Sequence, residues 1–93
     1  MDILQVAVCE DDPIEQKLLL AALRATDIPT RYYAYNSGED FIRNYHPGCY
    51  DLIFMDICMQ GMSGVDVVTN IRKIDTNVPI AFTTSNLKYT LDG

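Results

Sequence analysis

The chain has 93 residues, of which 48% are apolar, which fits one globular domain with a thin core. Thirteen acidic residues against seven basic ones give a formal charge of −6. That balance argues against direct binding to nucleic acid or to an anionic membrane and suits a cation.

Ile3 to Cys9, ILQVAVC, reads as a strand. Glu10-Asp11-Asp12-Pro13 follows, with Asp12 placed to cap a helix and Pro13 suited to its first turn. The segment IEQKLLLAALRAT then sets Ile14, Leu18, Ala21, Ala22 and Ala25 on one helical stripe, broadened by Leu19, Leu20 and Leu23. Asp27 to Pro29 breaks it. Thr30 to Tyr35, TRYYAY, is a second strand, polar and aromatic enough for a sheet edge. Its tyrosines fit ordinary packing better than a stacking platform for bases, given the acidic charge. Ser37 is placed to cap the next helix, GEDFIRNY, which ends at His46-Pro47-Gly48; His46 reads as a helix-end residue. Asp51 to Met55 is a third strand, apolar on both faces. A third helix is expected from about Ser63 to Arg72, with Val65, Val68 and Ile71 inward. IAFTTS, residues 80–85, is a fourth strand, and NLKYTLDG, residues 86–93, opens a further helix.

Four β-α repeats predict an α/β domain with a parallel sheet and helices on both faces. Its cysteines, Cys9, Cys49 and Cys58, show no CxxC or metal-ligand spacing, so reduced thiols in a cytoplasmic protein are expected. Neither a signal peptide nor a membrane-spanning run is read in it.

The informative stretch is IFMDICMQGMSG, residues 53–64. An apolar strand runs straight into Asp56. Ligands in open parallel sheets bind beyond the carboxyl ends of strands, where the winding reverses. If the first strand lies between the second and third, as in the flavodoxin-like order 2-1-3-4, Glu10, Asp11 and Asp56 converge there. That order is borrowed from the fold, not read from the residues. Converging carboxylates repel unless a cation joins them, and Mg²⁺ suits a few carboxylates, waters and a phosphate oxygen. A carboxylate in that setting can attack phosphorus. Thr83-Thr84-Ser85 adds hydroxyls on the same rim. Singly, each feature has a plainer role: a turn aspartate, acidic residues complementing a helix dipole, or threonines of high β-propensity. Their coincidence at matching strand ends favours a site.

VAVCEDDP, DLIFMDICMQGMSGVD and VPIAFTTSN together resemble the receiver domain of two-component response regulators, along the whole chain. The VCEDDP opening and TSNLKYTLDG ending resemble regulators with a LytTR-type DNA-binding domain. The resemblance implies a three-layer flavodoxin-like sandwich in which Asp56 accepts phosphoryl from a sensor histidine kinase. Asp11 would hold Mg²⁺ directly and Glu10 through water, with the backbone carbonyl of Cys58 as a further ligand. Thr84 matches the hydroxyl that turns toward the phosphoryl group, Ser85 the small residue beside it, and Gly64 the glycine that starts the third helix close to the site. Such a domain is no enzyme beyond self-phosphorylation and slow self-dephosphorylation. Gln60 departs from the pattern, standing where many members have proline. By the same resemblance the chain ends at Gly93 within its fourth helix. A fifth strand with its lysine, a last helix and a DNA-binding output domain would lie outside it, and Lys88 is on the wrong element to replace that lysine. An exposed fourth strand or the face without its helix would then favour a homodimer. Two other readings remain: a Mg²⁺-dependent phosphohydrolase, disfavoured because Cys58 stands where a second acid is expected, and a non-phosphorylated interaction module.

Overall fold

The computed structural model describes residues 3–84. Four strands and three helices alternate: β1 (Leu4–Cys9), α1 (Pro13–Arg24), β2 (Thr30–Tyr35), α2 (Gly38–Asn44), β3 (Leu52–Asp56), α3 (Gly64–Arg72) and β4 (Ile80–Thr83). All pairings are parallel and the order is β2-β1-β3-β4. This is the flavodoxin-like α/β arrangement. The helix expected over residues 86–93, and Ser85, lie outside the described residues.

Burial follows from position in the sheet. β1 and β3 are flanked on both sides, and Ala7, Val8, Ile53 and Met55 are fully buried. Alternate residues of β1 face opposite ways. Ala7 and Cys9 join Ile53, Met55, Phe41, Val67 and Ile71 in the core under α2 and α3. β2 is an edge strand, as its composition implied. Its tyrosines are absorbed by the fold. The Tyr32 hydroxyl donates to Leu23 O, Tyr33 to Gln5 Oε1, and Tyr35 shares a hydrogen bond with Tyr50.

The caps match the sequence reading. Asp12 accepts from the N–H groups of Ile14 and Glu15, Pro13 opens α1, and Ser37 accepts from Asp40 N–H to start α2. The helix faces need two corrections. Leu20, not Ile14 or Leu18, is the buried residue of α1; Ile14 is 70% and Leu18 61% exposed. Ala21, Ala22 and Ala25 are exposed as well. Gln16 explains the rotation, because its side-chain amide donates to Glu10 O and Tyr35 O and turns that side of the helix toward the strand ends. In α3, Val67 takes the inward place expected of Val65, which is 53% exposed. Val68 is partly buried against the core and Ile71 fully so. The strand ends also shift: β1 begins at Leu4, β3 runs from Leu52 through Asp56, and β4 stops at Thr83.

Candidate functional site

β1 and β3 are neighbours whose chains leave in opposite directions, β1 returning through α1 to β2 and β3 leading on through α3 to β4. The winding therefore reverses between them. Glu10 N–H extends the ladder by donating to Tyr35 O at 3.0 Å. This holds Glu10, only 5% exposed, against the sheet while Asp11 projects past it, half-buried. On β3 the ladder continues through Ile57 N–H, which donates to Thr83 O at 3.0 Å, so Asp56 is fixed on both sides and is 1% exposed.

The chain must then turn back sharply. Gly61, with φ of +76°, makes the left-handed bend. Gly64 N–H closes the loop onto Ile57 O at 3.0 Å. A Cβ on Gly64 would lie 2.0 Å from Asp56 O, so only glycine lets α3 start this close.

One carboxylate oxygen from each of Glu10, Asp11 and Asp56 lies within 4.8 Å of the others. They line an open cleft of about 800 Å³ with Asp12, Asn36, Cys58 and Gln60. Each carboxylate accepts one peptide N–H: Glu10 from Asp12 at 3.1 Å, Asp56 from Cys58 at 3.2 Å and Asp11 from Gln60 at 3.0 Å. Three neutral donors do little to offset the crowding of three carboxyl groups. Burial pushes the Glu10 carboxyl up to about 8, and its contacts with Asp56 and Asp11 push the same way. A hard divalent cation would relieve this repulsion, and an all-oxygen donor set fits Mg²⁺ or a similar ion. Cys9, beneath the cleft, is no competing nucleophile: burial, reinforced by Asp56, pushes its thiol up to about 12.

The other residues singled out from the sequence are placed as follows. Cys58 lines the cleft with an exposed side chain, and its N–H serves Asp56. Thr84 lies just past β4 and lines a smaller neighbouring cleft of about 280 Å³ with Thr83, Glu15 and Leu18. Glu10 borders both clefts and connects Thr84 to the acidic trio. Sequence reading missed Gln16, Asn36 and the Gln60 N–H. Asn36 had a usable signal, being the first residue after a strand that ends on this rim. Gln16 could have been found as a polar residue on the sheet-facing side of α1. A peptide donor leaves no mark in a sequence.

A family model described as the response regulator receiver domain matches residues 6–91. The response regulator SskA of Aspergillus fumigatus is 32% identical over 72 residues, which is 77% of this chain but only 8% of that protein. Among solved structures, the response regulator TrrA of Thermotoga maritima, in complex with Mg²⁺ and BeF, is similar with a TM-score of 0.80 and 27% identity. That match covers 97% of this chain and 76% of TrrA. A complex of TrrA with the histidine kinase ThkA gives a TM-score of 0.73 at 29% identity, covering 89% of this chain and 70% of the matched one. Among the described residues no helix is long and apolar enough to cross a membrane. A family match across nearly the whole length, on a fold whose switch point carries the acidic trio, leaves one assignment: the chain belongs to the response regulator receiver domains of two-component systems.

Proposed function

We propose that Asp56 is the phosphoacceptor of a cation-assisted receiver, and that the phosphoryl donor is a sensor histidine kinase. The observation that carries the reading is the meeting of Glu10, Asp11 and Asp56 at the switch point. Asp56 is oriented by the ladder on either side of it and by the Cys58 N–H on Oδ1. A carboxylate oxygen so held attacks phosphorus, the bond from phosphorus to the donor nitrogen breaks, and an aspartyl phosphate results. Asp11, Glu10, Asp56 and the backbone carbonyl of Cys58 would hold Mg²⁺. When bound, the ion supplies positive charge against the oxygens of the transferring group. Thr84 reads the phosphoryl group rather than attacking it, and Ser85 is the small residue beside it.

The chain is the receiver, residues 1–93, of a longer cytoplasmic regulator whose output domain binds DNA. The LytTR-type assignment of that domain rests on the two short segments at the ends of this chain. Phosphorylation is stoichiometric signalling with slow self-dephosphorylation, not multi-turnover catalysis. Pairing of two copies along β4 completes the proposal.

Titration with Mg²⁺ followed by NMR tests the cation site. Amides of Glu10, Asp11, Asp56 and Cys58 are expected to shift first, and beryllofluoride is expected to move Thr84 further. Shifts confined to another acidic stretch, such as Glu39-Asp40, would refute it.

A further inference from the structure

Each carboxylate of the trio is met by one main-chain N–H, but the donors differ in reach. Asp12 serves Glu10 and Cys58 serves Asp56 from two residues along the same loop. Gln60 serves Asp11 Oδ2 from the opposite loop, 49 positions away in the chain. This bond ties the β3–α3 loop directly to the end of β1.

We propose that the Gln60 peptide N–H is the positioning donor for Asp11 as a cation ligand, an inference that rests on the cation-assisted reading above. Asp11 is half-buried and is not held in the ladder as Glu10 and Asp56 are. Without the tie its side chain is free to rotate away from the trio. The donor engages one carboxylate oxygen, fixes the carboxylate plane and leaves the other oxygen to a cation. Being neutral, it orients the group without competing for the charge. The loop is built to present it. Gly61 bends the chain immediately after Gln60, and Gly64 pins the far end against Asp56 O. Because the donor belongs to the backbone, the side chain at position 60 is free to vary, with proline as the exception, since it has no N–H. The departure from proline at this position therefore adds a hydrogen bond that proline cannot make.

Mg²⁺ titrations of the 93-residue chain by NMR should compare wild type, Gln60→Pro and Gln60→Ala. Loss of a partner that orients a metal ligand costs about 10–100-fold in affinity. Gln60→Pro is expected to bind Mg²⁺ at least about tenfold more weakly, whereas Gln60→Ala keeps its N–H and the wild-type affinity. Equal affinity in wild type and Gln60→Pro overturns the proposal, and so does an equal loss in both variants. Amide exchange supplies a readout that needs neither Mg²⁺ nor a folded proline variant. The Gln60 amide is expected to exchange faster in Asp11→Ala than in wild type, with β1 amides unchanged. No acceleration overturns the proposal. If wild type shows no Mg²⁺-dependent shift at the trio, the cation reading fails, while the exchange result still decides whether the tie exists.

Discussion

Gly64 has no room for a methyl group. Its missing Cβ would sit 2.0 Å from the Asp56 carbonyl oxygen and 3.0 Å from Ile57 Cα, both backbone atoms that cannot swing aside. Gly64→Ala must therefore push α3 away from β3 or displace Asp56. Overpacking of this kind costs about 1–3 kcal/mol. Urea unfolding is expected to show a loss in that range, and Mg²⁺ binding should weaken with it; an unchanged midpoint would contradict the contact. At this scale Glu10, Asp11 and Asp56 were legible in the sequence, because a carboxylate at the end of an apolar strand is itself unusual, whereas Gly64, at the start of α3, was marked only by the resemblance. What joins them was not legible. The Gln60 N–H and the N–H of Cys58 are donors that every residue but proline carries.

The elements were legible in type and order, and their caps were marked by Asp12, Pro13 and Ser37. The helix faces were misread in α1 and α3 for one reason: periodicity gives the period of an apolar stripe but not its phase. In α1 the stripe was read broadly, with Leu20 on its margin, and the tie from Gln16 to the strand ends turns Leu20 inward rather than Leu18. In α3 the contact of Gly64 with Asp56 fixes the first turn and brings Val67 inward. A second tie joins α2 to the segment after α3. The Tyr45 hydroxyl donates to Asp75 Oδ2 at 2.6 Å. This bond, with the N–H groups of Asn77 and Val78, holds the Asp75 carboxyl below its ordinary value of 3.8. The unfolded chain therefore takes up this proton first as pH falls. The stability from the pair is complete above the ordinary carboxylate range and is lost on acidification. Tyr45→Phe keeps the ring and removes the main cause. Melting curves should show a lower Tm at neutral pH and a shallower loss of Tm between about pH 5 and pH 3. Parallel pH profiles for the two proteins would contradict the assignment.

For the whole molecule, the β-α alternation yielded a parallel sheet from the sequence, but strand order required the borrowed fold. Residue pattern alone distinguishes edge from centre, as the tyrosines of β2 do, without saying which neighbour each strand takes. That order places β4 beside β3, with no strand on its other side among the described residues, and Phe82 is 47% exposed. An open strand edge beside an apolar side chain is a template for pairing with a second copy. Light scattering over a concentration series is expected to show a mass rising toward the dimer, and Phe82→Lys should return it toward the monomer. A monomer at all concentrations, with β4 amides exchanging no faster than those of β1, would refute pairing through this strand.

Asp56 is the residue proposed to take the phosphoryl group. The direct measurement is labelling with acetyl phosphate, with and without Mg²⁺, in wild type, Asp56→Asn and Thr84→Ala. Asparagine nearly matches aspartate in shape but lacks the anionic nucleophile. Wild type should form an acyl phosphate that maps to Asp56 and requires Mg²⁺. Thr84→Ala should still be labelled, and Asp56→Asn should not be labelled. Undiminished labelling of Asp56→Asn, or labelling indifferent to Mg²⁺, would contradict it.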